Sequence, residues 1–140
     1  EPLSVAEHCI GNRTDIGDRS NVVVSGPGII GLLCAISARS RGANVLLSGT
    51  ERDEPTRLRA AREIGFETLT VGPEKVNLDK QVLHHFPEGA DALVEASGAA
   101  PALAESWKSV RPNGIVTAVA LYSRAIDVDL TQFLRKQIDL

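Results

Sequence analysis

A G-x-G-x-x-G motif, Gly26 to Gly31, lies directly after a short apolar run in this sequence. The run, Asn21-Val22-Val23-Val24-Ser25, is continuous and β-branched, which is typical of a strand buried on both faces. Residues 30–40, which follow, have the apolar spacing of a helix that packs closely on a sheet. The order of strand, glycine turn and helix predicts a tight βα unit at this point of the chain.

Each glycine of the motif has its own physical role in such a unit. Gly26 lets the chain turn tightly out of the strand, and Gly31 lets the helix lie close to the sheet. Gly28 removes a side chain at the point where a pyrophosphate must approach the backbone. The N-terminus of the helix then presents unpaired N–H groups and a partial positive charge to the phosphates. The motif therefore predicts a dinucleotide site, and the alternative is a glycine-rich turn that serves packing alone.

The rest of the sequence repeats the alternation of strand and helix. Further strands are predicted at residues 44–48, 68–71, 91–95 and 115–119, and helices at residues 56–64, 79–86, 100–110 and 131–136. Strands that alternate with helices of this length form right-handed crossovers and a parallel sheet covered on both faces. We therefore predict an α/β fold, a Rossmann-type doubly wound parallel sheet, over residues 21–140. Residues 1–20 are predicted to form a short helix and a polar linker.

Composition and charge exclude several classes of protein. The net charge of −3 argues against binding to nucleic acids or to anionic membranes, which requires a basic excess. Two cysteines without a C-x-x-C pair indicate neither a disulfide framework nor a zinc site. No apolar stretch approaches the roughly 20 residues that span a bilayer, and the first residues lack the features of a signal peptide, so a cytoplasmic location is expected. Because its 140 residues include no methionine, the chain is expected to be a domain excised from a larger two-domain protein.

The end of the second predicted strand bears on which nucleotide is bound. Enzymes that use NAD usually carry an acidic residue there, which accepts hydrogen bonds from the adenosine ribose. Gly49 stands at that position, so no carboxylate repels the 2′-phosphate of NADP. Thr50 can donate a hydroxyl and Arg52 can pair with the phosphate, which favours NADP. Two alternatives stay open: Glu51 bends back to the ribose and binds NAD, or Arg52 is only a solvated loop residue.

Two further loops, residues 95–98 and 118–121, are expected at the same edge, because open parallel sheets bind ligands beyond the carboxyl ends of their strands. Ser97 and Gly98 are candidates to expose backbone groups near a nicotinamide, and the alternative is an ordinary strand-to-helix turn. The sequence contains no Ser/His/Asp set, no Tyr-x-x-x-Lys pair and no metal-spaced cluster of His and Cys. No catalytic residue and no metal ligand is therefore predicted within the chain.

Five segments together carry a more specific signal than the glycines alone, and they extend over nearly the whole chain. They are EPLSVA from Glu1, VVVSGPGIIGLL from Val22, RL with EIG from Arg57, DALVEASG from Asp91 and RPNGIV from Arg111. On these segments the chain resembles the zinc-dependent medium-chain alcohol and polyol dehydrogenases of the sorbitol and threonine type. The resemblance implies the nucleotide-binding half of an oxidoreductase, with residues 1–20 leading in from an absent catalytic domain.

The resemblance also implies cofactor contacts, residue by residue. The residues that match the pyrophosphate loop are Gly26, Gly28, Ile29 and Ile30. The residues that match the adenosine ribose site are Gly49, Thr50 and Arg52, with Arg57 nearby. The residues that match the loops toward the nicotinamide are Ser97, Gly98, Val119 and Leu121. Glu1 matches a glutamate beside the catalytic zinc, and Ala120 departs from the glycine that relatives often have.

The activity implied for the parent protein is hydride transfer between a secondary alcohol carbon and the nicotinamide of NADP or NAD, with NADP favoured. Zinc, in the parent protein only, would polarise the substrate oxygen, and this chain would orient the cofactor. The chain alone is therefore expected to bind the dinucleotide without turning over alcohol or polyol substrates. The resemblance also implies a homo-oligomeric parent. The alternatives are a non-catalytic nucleotide-sensing domain, which usually starts at its first strand, and a methyltransferase, which would need an acid where Gly49 stands.

Overall fold

A parallel sheet of five strands forms the centre of the computed structural model, which describes residues 1–140. The strands are β1 (Asn21–Ser25), β2 (Asn44–Thr50), β3 (Glu67–Val71), β4 (Ala90–Glu95) and β5 (Val110–Ala118). Their order across the sheet is β3-β2-β1-β4-β5, and every neighbouring pair is parallel. The chain builds outward from β1 on one side and then crosses to β4 on the other, which confirms the predicted doubly wound sheet. An isolated parallel bridge between Ile115 of β5 and Asp139 places the end of the chain beside β5.

Helices cover both faces of the sheet. They are α1 (Pro2–His8), α2 (Ile29–Ser40), α3 (Arg59–Glu63), α4 (Leu78–His85), α5 (Ala100–Ala104) and α6 (Leu130–Lys136). The core on the face of α1, α2 and α3 contains Val22 and Val24 of β1, whereas the core on the face of α4, α5 and α6 contains Val23. Successive residues of β1 point to opposite faces, so a continuous β-branched run suits this central strand. None of the helices combines the length and the apolar character needed to cross a membrane.

The first twenty residues pack against the sheet and contribute to its core. A π-helical turn, Cys9–Arg13, follows α1, and Ala6, Cys9 and Ile10 are buried in the same core as α2. The Thr14 hydroxyl donates to the carbonyl oxygen of Cys9 at 2.7 Å and its oxygen can accept from the Thr117 hydroxyl at 3.0 Å, which ties the segment to β5. The assignment of residues 1–20 to a separate catalytic domain stays a prediction.

Two helices are shorter than the sequence pattern predicts. The helix expected at residues 100–110 ends at Ala104, is followed by a 3-10 turn at Ser106–Lys108, and gives way to β5 at Val110. Val110 is fully buried and pairs with Ala90 of β4, so tertiary pairing overrides the helical pattern. The helix expected at residues 56–64 is α-helical only over α3, and the π-helical turn Glu54–Leu58 occupies its first residues.

Candidate functional site

The carboxyl ends of four strands meet at one edge of the sheet. Ser25 of β1 is paired with Ser48 of β2 and with Glu95 of β4, and Glu95 is paired with Ala118 of β5. The predicted site residues that follow these positions in the sequence are Gly26, Gly49, Ser97, Gly98 and Val119. Segments from four separate parts of the chain therefore start at this edge, next to the point where the strand order reverses.

The packing of the glycine turn requires glycine at two of its three positions. Gly26 has φ +105°, a left-handed conformation that side chains rarely adopt, and a Cβ there would lie 2.6 Å from the backbone nitrogen of Ser97. A Cβ on Gly31 would lie 1.9 Å from the carbonyl oxygen of Gly26, because α2 begins directly against the turn. Gly26 and Gly31 are thus required by the fold itself.

The third glycine, Gly28, has no such requirement. Its φ of −70° and ψ of 178° are values that any residue adopts, and a Cβ there would meet no protein atom within 4 Å. Gly28 is the N-cap of α2, and no side chain caps this end of the helix. Ile29 is 65% exposed beside it, whereas Ile30 packs against the core. Open space next to unpaired N–H groups of a first helical turn fits a phosphate group that approaches the backbone closely.

Hydrogen bonds hold the turn after β2 in a fixed shape. Asp53 Oδ2 accepts from the backbone N–H of Thr50 at 2.9 Å and from its hydroxyl at 2.8 Å, and Asp53 Oδ1 lies 3.3 Å from Nη1 of Arg57. Burial opposes ionisation of Asp53, but the Thr50 donors and the Arg57 guanidinium outweigh it and lower the pKa of the carboxyl. The Thr50 hydroxyl, expected to donate to the nucleotide, therefore donates to Asp53, and Arg57 is held in an ion pair.

The other arginine of this turn, Arg52, is exposed and makes no hydrogen bond or ion pair with the protein. Its neighbour Glu51 is also exposed, with Oε1 3.9 Å from Nζ of Lys75. Gly49 is buried at the end of β2, next to Pro27 of the glycine turn. The turn therefore presents the unpaired cation of Arg52 to solvent.

A buried carboxylate, Glu95, links the loops that follow β4 and β5. Glu95 is 0% exposed and accepts from the backbone N–H groups of Ser97 at 2.8 Å and Gly98 at 3.3 Å. It also accepts from the hydroxyl groups of Ser97 and Tyr122, and its carbonyl oxygen accepts from the N–H of Val119 at 2.9 Å. A buried carboxylate without a cationic partner needs several donors, and both loops supply them.

Contacts between the same two loops bring the remaining predicted residues together. Gly98 has φ +71°, and a Cβ there would lie 3.0 Å from the carbonyl oxygen of Leu121. The Leu121 side chain is 96% exposed, whereas Val119 packs against the core of the α1 and α2 face. The N–H groups of Ser97 and Gly98 donate to Glu95, so the backbone groups that these residues can still offer a ligand are their carbonyl oxygens.

Sequence reasoning places Glu95 in a loop at this edge without giving it a role, and it does not identify Tyr122 as part of the site. The available signal for Glu95 is a carboxylate at the end of an otherwise apolar run, Ala92-Leu93-Val94, which burial makes costly without donors. Tyr122 gives no such signal, because its contact with Glu95 spans 27 positions of the sequence.

Tyr122 is expected to ionise at a higher pH than an ordinary tyrosine. Burial and the hydrogen bond to the Glu95 carboxylate raise the pKa of Tyr122 above its ordinary value of 10. The folded state holds this proton more tightly than the unfolded state, so the stability it contributes is full below pH 10 and is lost as the pH rises further. Because Tyr122 is the one tyrosine, phenolate absorbance measures its ionisation directly, with the Tyr122→Phe variant as the blank. A phenolate transition at pH 10 while circular dichroism still shows the folded chain would contradict this expectation.

Two clefts adjoin the candidate site. A cleft of about 740 Å³ lies between α1, the π-helical turn and β5, and its lining includes Val5 and Val119. A cleft of about 260 Å³ lies between the ends of the first three strands, α4 and α5, and its lining includes Ser25 and Ser48. The chain contains no group of three or more His, Cys, Asp or Glu side chains arranged to hold a metal ion. The residues of this chain therefore do not fit the zinc centre that the resemblance implies for the parent protein.

Comparison with known sequences identifies relatives along the whole chain. The sequence model of a family described as zinc-binding dehydrogenase matches residues 30–140. A sorbitol dehydrogenase from Halalkalibacterium halodurans is 33% identical over 100% of this chain and 40% of its own length. A 2-dehydro-3-deoxy-L-galactonate 5-dehydrogenase from Pseudoalteromonas atlantica is 35% identical, over 100% of this chain and 40% of its own length.

Comparison with solved structures also identifies a zinc-binding dehydrogenase as similar to this chain. A zinc-binding dehydrogenase from Sinorhizobium meliloti 1021, bound to NADP, superposes with a TM-score of 0.87 at 26% identity. The match covers 99% of this chain and 41% of that one. The chain thus spans about 40% of the length of the curated relatives that it matches.

Proposed function

Because the chain belongs to the zinc-binding dehydrogenase family, we propose that it is the nicotinamide-dinucleotide-binding domain of an alcohol or polyol dehydrogenase. In the parent protein it would position the cofactor against a secondary alcohol carbon, and the bound nicotinamide supplies the acceptor or donor of a hydride. In this proposal residues 21–140 form the dinucleotide-binding domain, and residues 1–20 lead in from the catalytic domain of a homo-oligomeric enzyme.

The observation that carries the proposal is the open space beside Gly28. The fold requires glycine at Gly26 and Gly31, but at Gly28 a Cβ would meet no protein atom. A glycine that the fold does not need, at the N-terminus of a 12-residue helix, is explained by a ligand that must approach the backbone. We assign this space to the pyrophosphate, which the N–H groups of Ile29 and Ile30 and the positive end of α2 would bind.

The nicotinamide half of the cofactor is assigned to the loops after β4 and β5. Ser97 and Gly98 lie on the first of these loops, and Val119 and Leu121 lie on the second. Glu95 binds donors from both loops, so it would keep their backbone groups in a fixed relative position when the cofactor enters. These residues would orient the nicotinamide ring, and the chain supplies no group that moves a proton from the substrate.

The proposal includes a preference for NADP over NAD. Gly49 places no carboxylate at the end of β2, and Arg52 has no partner within the protein. A relative of 26% identity has NADP bound, which is consistent with this preference. Arg52 would pair with the 2′-phosphate, whereas Arg57 and Thr50 would hold the turn through Asp53.

The Arg52→Ala variant is expected to bind NADPH about tenfold more weakly and NADH with unchanged affinity. The change removes a charge-assisted contact with the 2′-phosphate, and a tenfold loss corresponds to about 1.4 kcal/mol, near the lower end of the range for hydrogen bonds to charged groups. The measurement is calorimetric titration with both cofactors at equal ionic strength. Arg59→Ala is the matched control, because Arg59 is an exposed arginine of α3 whose partner is Glu63. Equal weakening of NADPH binding by both variants would contradict the role of Arg52.

The chain alone is expected to bind cofactor without oxidising alcohols. Its side chains include no group arranged to hold a metal ion, and its relatives extend well beyond the matched region. The assay mixes the chain with sorbitol, NADP⁺ and zinc, and follows the absorbance of reduced nicotinamide. We expect no rate above the mixture without protein, and zinc-dependent oxidation of sorbitol by the chain would contradict the proposal.

A further inference from the structure

The space at the end of β2 is closed by a residue of the glycine turn. Gly49 is buried, and a Cβ on it would lie 2.8 Å from Cγ of Pro27, 3.1 Å from Cδ of Pro27 and 3.1 Å from Cδ2 of Leu58. Real Cβ atoms essentially never lie closer than 3.0 Å to another heavy atom, so a side chain at position 49 is incompatible with Pro27 as it stands. The φ of Gly49 lies outside the left-handed region, so its backbone would accept other residues.

The Pro27 ring has little freedom to withdraw from this space. The ring is closed onto its own backbone nitrogen, so its internal freedom is a change of pucker, which shifts Cγ but leaves Cδ beside position 49. Its neighbours are fixed as well, because Gly26 packs against Ser97 and Gly28 is the N-cap of α2. Leu58 is also buried, but its side chain can change rotamer. Pro27 is therefore the group that keeps position 49 without a side chain.

We propose that Pro27 is a specificity-determining residue for the dinucleotide. A Rossmann fold usually accepts hydrogen bonds from the ribose 2′-hydroxyl through an acidic side chain at the end of the second strand. Pro27 fills the space which that side chain would need, and so it excludes this kind of NAD recognition. Recognition of the 2′ substituent then passes to the turn after β2, where Arg52 is unpaired. This inference rests on the proposed function, since it concerns the selectivity of the same site.

The test introduces Gly49→Asp into two backgrounds, the wild-type chain and the Pro27→Ala variant. Each product is compared with its own background by calorimetric titration with NADPH and NADH and by thermal unfolding. In the wild-type background we expect an unfolding temperature lower by about 5 °C, because the core is overpacked, and weaker binding of both cofactors. In the Pro27→Ala background we expect a smaller loss of stability. We also expect the ratio of the two dissociation constants to shift toward NADH by about tenfold or more, because the carboxylate repels the 2′-phosphate.

Several results would overturn the inference. One is that Gly49→Asp shifts the ratio of the two dissociation constants equally in both backgrounds. Another is that it lowers the unfolding temperature equally in both. If the Gly49→Asp variant of the wild-type chain does not fold, Gly49→Ala replaces it, because this change adds only the Cβ that Pro27 contacts. Gly49→Ala is expected to lower the unfolding temperature in the wild-type background and not in the Pro27→Ala background, and equal lowering would overturn the inference. A wild-type chain that binds neither cofactor would instead overturn the proposed function.

Discussion

The Gly28→Asp variant is expected to lose dinucleotide binding by about 100-fold or more and to unfold at the wild-type temperature or above. A Cβ at this position points into open space and would meet no protein atom within 4 Å. Aspartate is a preferred N-cap, and its negative charge suits the N-terminus of α2, so the fold loses nothing. The same carboxylate would stand against the pyrophosphate, where two like charges about 4 Å apart repel by about 4 kcal/mol at an effective dielectric constant of about 20. Calorimetric titration and thermal unfolding measure the two properties separately.

Two other glycines serve as controls for this variant. Gly17→Asp adds the same charge at a glycine with φ outside the left-handed region and one distant neighbour, Ser20 Oγ at 4.0 Å. This variant is expected to keep both stability and binding. Gly31→Ala is expected to lose both, because its Cβ would lie 1.9 Å from the carbonyl oxygen of Gly26. Wild-type affinity in the Gly28→Asp variant would show that the space beside Gly28 is not the pyrophosphate site.

The Glu95→Ala variant is expected to lose about 3 kcal/mol of unfolding free energy, which corresponds to a fall of about 10 °C in the unfolding temperature. Glu95 is fully buried, and its removal leaves the N–H groups of Ser97 and Gly98 and the Tyr122 hydroxyl without their acceptor. Donors that lose their acceptor in a partly buried site are costly, and the loops after β4 and β5 would also lose the contact that joins them. Denaturant titration measures the free energy.

A matched glutamate separates the effect of this network from the effect of charge removal. Glu88 is exposed and makes no hydrogen bond or ion pair, so Glu88→Ala is expected to change the unfolding free energy by less than about 0.5 kcal/mol. Tyr122→Phe removes a single donor to Glu95, so its loss of unfolding free energy is expected to lie between those of Glu95→Ala and Glu88→Ala. An unchanged unfolding free energy in Glu95→Ala would contradict the structural role given to this carboxylate.

The fold could be predicted from local patterns because they agree with one another. The β-branched run of β1, the glycines that follow it and the apolar face of α2 each indicate the same βα unit. The Thr50–Asp53 contact also has a local signal, a Thr followed three positions later by an acid, which is a form of capping box. This signal competes with the expectation that the Thr50 hydroxyl donates to the nucleotide. In the structure the hydroxyl donates to Asp53.

The features that could not be predicted depend on contacts between distant parts of the chain. The helix expected at residues 100–110 does not reach Val110, because Val110 pairs with Ala90 of β4 and begins β5. No local sequence pattern indicates this pairing. The clash between position 49 and Pro27 is equally non-local, since it joins the end of β2 to the turn after β1. The absence of an acid at Gly49 is readable from the sequence, but its physical reason requires the structure.

The most direct test of the proposed function is a calorimetric titration of the wild-type chain with NADPH and with NADH at equal ionic strength. We expect saturable binding of one dinucleotide per chain, with NADPH bound more tightly than NADH. Tighter binding of NADH would keep the dinucleotide site and transfer recognition of the ribose from Arg52 to Glu51. Absence of binding for both cofactors would contradict the central claim that the space beside Gly28 receives the pyrophosphate of a nicotinamide dinucleotide.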